Sequence, residues 1–356
     1  MTLLLATTAV QSGDLGFAAV LLLISALGLL WGGNTVVGSA SGIARRFGVT
    51  ELAIGATVVA VGTSLPELFV SVVAVIDGHP AIAMGNVLGS NIANVGLVLG
   101  VTAVIHPVEV KQAKQTRWLL LFYLGLLGLL AASVLLPTRA ELTSGHGVVL
   151  LVLLVGLLFV LYRTGRQSAG QAEEQGGDLP LLLRLFSPLL NSRLRQRLEG
   201  LLNPQKNMPA AVVFLLTGFV LLFYSGKGFV WSASTIARYF SISEFIIALA
   251  LVAVGTSLPE VAVSSVAALK EQGDMSIGNV VGSNLFNILL VLGVASLFGP
   301  LPLDLADPTT LVTFLAVAAL GGAMLPAVIM PSHRIGRRYG LLLLAAYGTM
   351  LGYWFV

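Results

Sequence analysis

The sequence predicts an all-α polytopic membrane protein of ten transmembrane helices in two inverted five-helix repeats. Three observations predict it. The 356-residue chain is 56% hydrophobic and 10% charged, where a soluble domain carries about 25% charged residues. Several apolar runs reach the roughly 20 residues that a helix needs to cross a bilayer. The second half of the chain also repeats part of the first. So much apolar surface requires lipid as part of the solvent. Helix is the expected form, because each span must satisfy its own backbone polar groups; a transmembrane barrel would show short alternating segments.

Taken in order, the apolar runs place spans at about 16–46, 50–76, 81–105, 118–136, 147–163, 209–239, 243–269, 276–298, 309–330 and 338–356. The first and sixth are long enough to tilt or protrude. The run Leu3 to Val10 is short and lacks a positive leader, so no cleaved signal peptide is read there. Residues 1–165 form an N-terminal five-helix repeat and 209–356 a C-terminal one. Between them, 166–208 is a cytoplasmic linker. Its stretch Leu181 to Leu201 reads equally as an amphipathic helix on the membrane surface or as a tether.

Loop charge sets the orientation. With the N-terminus outside, sixteen of the nineteen Lys and Arg residues fall on the inner side and three, Arg139, Lys227 and Arg238, on the outer. Both termini are therefore expected outside. The net charge of +3 sits in loops with no aromatic-interleaved basic patch, which argues against nucleic acid as a partner. The absence of cysteine excludes disulfides and thiolate ligands. His79, His106, His146 and His333 read as solvated span ends, and Asp77, Asp274, Asp304 and Asp307 as loop charges. Lys227 is expected to snorkel to the outer interface.

Residues 40–107 align with 233–300 at a constant offset of 193, with 34 identities in 68 positions and no gap. Val59 to Glu67 and Val252 to Glu260 share the nine letters VAVGTSLPE. GNVLGSNIAN at Gly85 to Asn94 matches GNVVGSNLFN at Gly278 to Asn287. Five spans, an odd number, separate equivalent points, so the halves insert in opposite directions. Inverted repeats are common in secondary transporters, with the substrate site at the midplane between them.

The repeated residues carry the chemistry. Glu67 lies deep in the second span, with no Lys or Arg at its depth. An ionisable group there marks an ion path or a paired site. Pro66 lacks an N–H and crowds the carbonyl of Gly62. The helix should break, freeing carbonyls around Ala60 to Thr63. Thr63 and Ser64 would share the face of Glu67 if helical geometry persisted. In the third span Ser90 and Asn94 lie four apart on one face, with Asn86 and Asn91 as further polar residues. Gly85, Gly89, Gly96 and Gly100 keep that helix slim. The second half supplies Thr256, Ser257, Glu260, Ser283 and Asn287. If the halves meet, two carboxylates and several neutral oxygens converge, which suits a hard cation such as calcium. Two carboxylates balance one Ca2+, or offer separable sites for Na+ or protons. The competing reading is a pair of protonated carboxyls hydrogen-bonded in the bundle, with the asparagines as interhelical glue.

GTSLPE and GNVxGSN, each present twice, resemble the alpha repeats of the calcium/cation antiporter superfamily, in its sodium/calcium exchanger branch and prokaryotic members. The resemblance covers the ten-span body. It implies a secondary active antiporter, not an enzyme, exporting Ca2+ against Na+ by alternating access from a prokaryotic inner membrane. It implies Ca2+, Na+ and lipid as partners, a functional monomer, and no cofactor. It further implies that Glu67 and Glu260 are the central calcium ligands. Thr63, Ala60, Thr256 and Ala253 would add backbone or hydroxyl oxygens. Ser64, Ser90, Ser257 and Ser283 resemble sodium ligands. Several relatives carry Asp where this chain has Asn287, which disfavours potassium co-transport. Three alternatives stay open at this point: a proton/calcium antiporter of the same superfamily, an intramembrane hydrolase using Ser64 or Ser257, and a cation channel. Neither serine has a nearby His base.

Overall fold

The computed structural model describes residues 12–135, 141–168, 207–239, 257–303, 305, 307–329 and 332–354. Its helices are α1 (Ser12–Phe47), α2 (Glu51–Thr63), α3 (Leu65–Ile76), α4 (Pro80–Ile105), α5 (Ala113–Leu135) and α6 (Ser144–Ser168). The second half holds α7 (Met208–Tyr239), α8 (Leu258–Leu269), α9 (Gly273–Phe298), α10 (Pro308–Ala323), α11 (Leu325–Ile329) and α12 (Arg337–Trp354). The chain is an all-α polytopic membrane protein. Among the described residues six helices are long and apolar enough to span a bilayer, and the α2–α3 pair, bent by 45°, makes a seventh.

The difference from ten uninterrupted spans has local causes. Pro66 stands in the first turn of α3 and Pro259 in that of α8. A proline is at home there, because its missing N–H would have no intrahelical partner. Pro326 follows the break at Met324 between α10 and α11. Apolar content reads through such breaks. The predicted seventh span before Ser257 and most of the linker 166–208 lie outside the described residues.

Corresponding elements recur at the 193-residue offset. Leu65–Ile76 maps onto Leu258–Leu269, and Pro80–Ile105 onto Gly273–Phe298. Each of the longer pair contains a widened π-type turn, Asn94–Leu99 in one and Asn287–Leu292 in the other. Four two-residue strands were not anticipated: β1 (Val108–Glu109), β2 (Glu141–Leu142), β3 (Leu301–Pro302) and β4 (Arg334–Ile335). β1 pairs with β4 and β2 with β3, both antiparallel. The same offset carries β1 onto β3 and β2 onto β4, so each ribbon takes one strand from each half.

Two apolar layers hold the helices. The main bundle centres on α4, α5, α6 and α9, where Tyr123, Phe286, Leu99 and Leu120 are fully buried. The long helices α1 and α7 form a second layer against α8 and α2, through Val36, Ile43, Leu215, Leu222 and Val263. At about 1.5 Å per residue, the 36-residue α1 reaches about 54 Å, longer than the bilayer core of about 30 Å. Within the α1–α7 contact small residues meet: Gly28 faces Ser225, Gly228 faces Ser25, and Gly32 meets the backbone of Gly218.

Several solvated groups are placed differently from expectation. Asp274 is buried in the first turn of α9, where its carboxylate accepts from the Gln112 N–H at 3.1 Å. His79 is exposed as expected, whereas His106, His146 and His333 are half-buried. Asp77 and Asp307 are exposed; Asp307 caps α10 by accepting from the Thr310 N–H at 2.7 Å. That bond holds its carboxyl below the ordinary carboxylate range. Asp304 lies outside the described residues. Lys227 is exposed, its Nζ 4.4 Å from the Phe223 ring centre, a cation–π contact.

Candidate cation site

Local sequence shapes the first half of the site. Thr50 caps α2, its hydroxyl accepting from the Ala53 N–H at 3.2 Å. A π-type turn at Gly55–Val59 then widens the helix. Such turns are rare and concentrate at functional positions. The helix ends at Thr63, and Ser64 leaves helical geometry at φ −89° and ψ 6°. Glu67 therefore falls in the first turn of α3, and Glu260 in the first turn of α8. The unpaired N–H groups of a helix start favour negative charge there. That placement makes a carboxylate tolerable at 1% exposure, the value for both residues.

The break redirects the expected ligands. Thr63 does not continue the face of Glu67. Its hydroxyl reaches into the other half, 3.3 Å from Asn279 Oδ1 and 3.5 Å from Ser283 Oγ. The carbonyl of Ala60 is not freed; it accepts from the Ser64 N–H at 3.0 Å and the Thr63 hydroxyl at 3.4 Å. The Thr63 hydroxyl also lies alongside the Glu260 carboxyl, yet neither Glu260 oxygen has a formed hydrogen bond. Glu67 and Glu260 sit within electrostatic reach of one another.

Crossed packing brings the motifs together. α3, which carries Glu67, packs on the Asn287–Leu292 turn, and α8, which carries Glu260, on the Asn94–Leu99 turn. Asn94 donates from Nδ2 to Asn284 Oδ1 at 3.0 Å, and Asn287 from Nδ2 to Asn91 Oδ1, also at 3.0 Å. Among the described residues, Asn94 Oδ1, Asn287 Oδ1, Ser64 Oγ, Ser257 Oγ and both Glu260 oxygens are buried without a hydrogen-bond partner. Each such group costs about 1–3 kcal/mol when left unsatisfied. Six of them lie in the motif segments of the two halves. No cluster of three or more His, Cys, Asp or Glu occurs among the described residues. The donor set is thus two carboxylates with neutral oxygens, the oxygen-rich chemistry of a Na+ or Ca2+ site.

Every sequence-predicted site residue among the described ones is buried: Ala60, Thr63, Ser64, Glu67, Ser90, Asn94, Ser257, Glu260, Ser283 and Asn287. Ala253 and Thr256 lie outside the described residues. Of the supporting residues, the sequence singles out Asn86 and Asn91 as polar but assigns none of them a role. Asn86 donates to Ser71 Oγ at 3.0 Å and to the Glu67 carbonyl at 3.2 Å. In the other half Asn279 donates to Ser264 Oγ at 3.0 Å. Asn91, Asn284 and Tyr123 complete the set. A signal was present: Ser71 and Ser264, Asn86 and Asn279, and Asn91 and Asn284 are each identical at the 193 offset.

Glycines set the spacing between halves. A Cβ on Gly282 would lie 2.6 Å from Ala56 Cα, and one on Gly278 would lie 2.7 Å from the Leu52 carbonyl oxygen. Gly96 and Gly100 similarly admit Tyr347 and Leu344 of α12. Gly85 and Gly89 meet nothing within 4 Å among the described residues. Their expected partners, by the offset, are residues 245 and 249, outside the described set. Phe219 of α7 rests on Gly62, where a Cβ would lie 2.0 Å from the ring.

Fold and sequence together define a multi-pass membrane protein in which buried oxygen-bearing side chains of repeated motifs pack across the two halves. The chain belongs to the sodium/calcium exchanger protein family, which it matches over residues 17–163 and 210–356. It is 35% identical over 333 residues to the putative antiporter CaxA of Alkalimonas amylolytica, covering 93% of this chain and 96% of that one. It is 31% identical over 353 residues to the sodium/calcium exchanger MaX1 of Methanosarcina acetivorans, covering 93% and 96% respectively. Among solved structures, the sodium-calcium exchanger NCX_Mj soaked with 10 mM Na+ and zero Ca2+ superposes with a TM-score of 0.72. The two are 30% identical, and the match spans 95% of this chain and 99% of that one.

Proposed function

We propose that this protein is a secondary active antiporter that exports Ca2+ in exchange for Na+ by alternating access. The observation that carries the reading is that Glu67 and Glu260, both 1% exposed, each start a helix packed on the opposite half's π-type turn, among buried, unsatisfied oxygens of both repeats. Two carboxylates neutralise one Ca2+. Glu67 and Glu260 are its central ligands, with Thr63, Thr256, Ala60 and Ala253 adding neutral oxygens and Asn94 and Asn287 lining the same site. Ala60 would exchange its Thr63 hydroxyl for the ion. Ser64, Ser90, Ser257 and Ser283 serve Na+. Because both ions need the same carboxylates, their binding is mutually exclusive.

The body is a ten-span arrangement of inverted repeats, 1–165 and 209–356, joined by a cytoplasmic linker at 166–208. The recurrence of elements at one offset and the crossed ribbons support it. Both termini face outward in a prokaryotic inner membrane, as the loop charges favour, and one protomer suffices. The α1–α7 layer slides past the bundle to expose the site to either side. Its small-residue crossing and separate apolar layer suit such a motion.

Calorimetric Ca2+ titration of the purified protein tests the reading. Rising Na+ should weaken the apparent Ca2+ affinity without changing the number of Ca2+ sites. Ca2+ binding indifferent to Na+ would contradict it.

A further inference from the structure

The two site asparagines are each held by another asparagine from the opposite half, and the chemistry of amides fixes which way they face. The backbone carbonyl of Asn284 can only accept a hydrogen bond. It lies 3.4 Å from the Asn91 amide, so Asn91 presents its NH2 group there. The same NH2 group lies 3.4 Å from the Tyr123 hydroxyl. Asn91 must therefore turn its Oδ1 toward Asn287, at 3.0 Å. An oxygen accepts only from a donor, so Asn287 answers with its own NH2 group. That leaves Asn287 Oδ1 on the remaining side, buried and unsatisfied among the described residues. The Asn94–Asn284 contact repeats the arrangement at the 193 offset, again at 3.0 Å and again leaving a buried Oδ1 unsatisfied.

The alternative amide orientation would put an NH2 group where the cation is to sit. A donor there repels a cation, whereas an oxygen binds it. The support for Asn91 extends outward. Tyr123 is 1% exposed, and its ring fits against Gly321, where a Cβ would lie 2.5 Å from it.

We propose that Asn91 and Asn284 are positioning residues that fix the amides of Asn287 and Asn94 so that their oxygens face the transported cation. This rests on the exchanger reading and adds to it two residues that contact no ion. Outer residues that orient a metal ligand typically change affinity by about 10–100-fold when removed.

The test is a double-mutant cycle on the full-length purified protein, read as the Kd for Ca2+ alone. Asn91→Ala should raise Kd by about 10–100-fold. Asn287→Ala should raise it comparably. The Asn91→Ala/Asn287→Ala protein should bind no more weakly than Asn287→Ala, since Asn91 acts through Asn287. The Asn284→Ala and Asn94→Ala cycle should give the same non-additivity, and it decides the matter should Asn91→Ala fail to fold. Losses that simply add, or an Asn91→Ala protein with unchanged Kd, would overturn the positioning role while wild-type Ca2+ binding keeps the exchanger reading intact. A wild-type protein that binds no Ca2+ would overturn both.

Discussion

Buried carboxylates impose opposite demands on stability and on binding, and Glu260 makes the conflict measurable. Its two oxygens have no hydrogen bond among the described residues, and it faces the charge of Glu67. Replacing it with Gln removes a buried acid whose ionised form only a cation compensates. Glu260→Gln should therefore raise the melting temperature of the ion-free protein by a few degrees, as about 1–2 kcal/mol would. The same change should weaken Ca2+ binding by about two to four orders of magnitude, since breaking a buried charge pairing costs about 3–5 kcal/mol. Thermal melts with and without Ca2+ read both signs at once; a variant that loses stability in the ion-free form would contradict the assignment. At this scale the sequence was informative. Glu67, Glu260 and the motif serines could be named because they are polar in apolar spans and occur twice. Asn91 and Asn284 were equally visible as letters. What they do depends on a cross-half contact that no local spacing encodes.

Helix breaks and close approaches govern the next scale. Pro66 announced a break in the second span, and the 45° bend bears it out. The direction of the break was not legible. It sends Thr63 across to Asn279 and Ser283 instead of over Glu67, because the packing of α9 on α2 decides where the end of α2 points. Gly282 sets that packing, with backbone on the far side that cannot swing away. Gly282→Ala should therefore push the two helices apart. Overpacking of this kind costs about 1–3 kcal/mol, so the melting temperature should fall and Ca2+ affinity with it, since Ser283 is the next residue. Gly62 tests the moving layer. A methyl there collides with the Phe219 ring of α7, which must move aside. Gly62→Ala should slow transport at least tenfold while Ca2+ affinity changes much less. Equal losses in both would place Phe219 in the binding site instead of the moving layer.

Across the whole molecule, the two ribbons relate the loops to the two membrane faces. The loop after α4 pairs with the loop before α12, and the loop before α6 with the loop after α9. Counting spans from an outward N-terminus puts the first pair inside and the second outside. The sequence allowed this parity to be predicted from charge, while the strands themselves, two residues each, left no pattern to read. A chain without cysteine permits a direct check. Lys111→Cys should react with a membrane-impermeant maleimide only from the cytoplasmic side, and Thr143→Cys only from the outer side. Labelling of both from one side would break the inverted arrangement. The central claim is that Ca2+ movement is coupled to Na+ through one shared site. It is tested most directly by calcium-45 uptake into proteoliposomes loaded with Na+, against choline-loaded vesicles and vesicles carrying only a pH gradient. Uptake that requires internal Na+, and that disappears with Glu67→Gln or Glu260→Gln, is the predicted result. Uptake driven by the pH gradient without Na+, or uptake that survives either substitution, would contradict it.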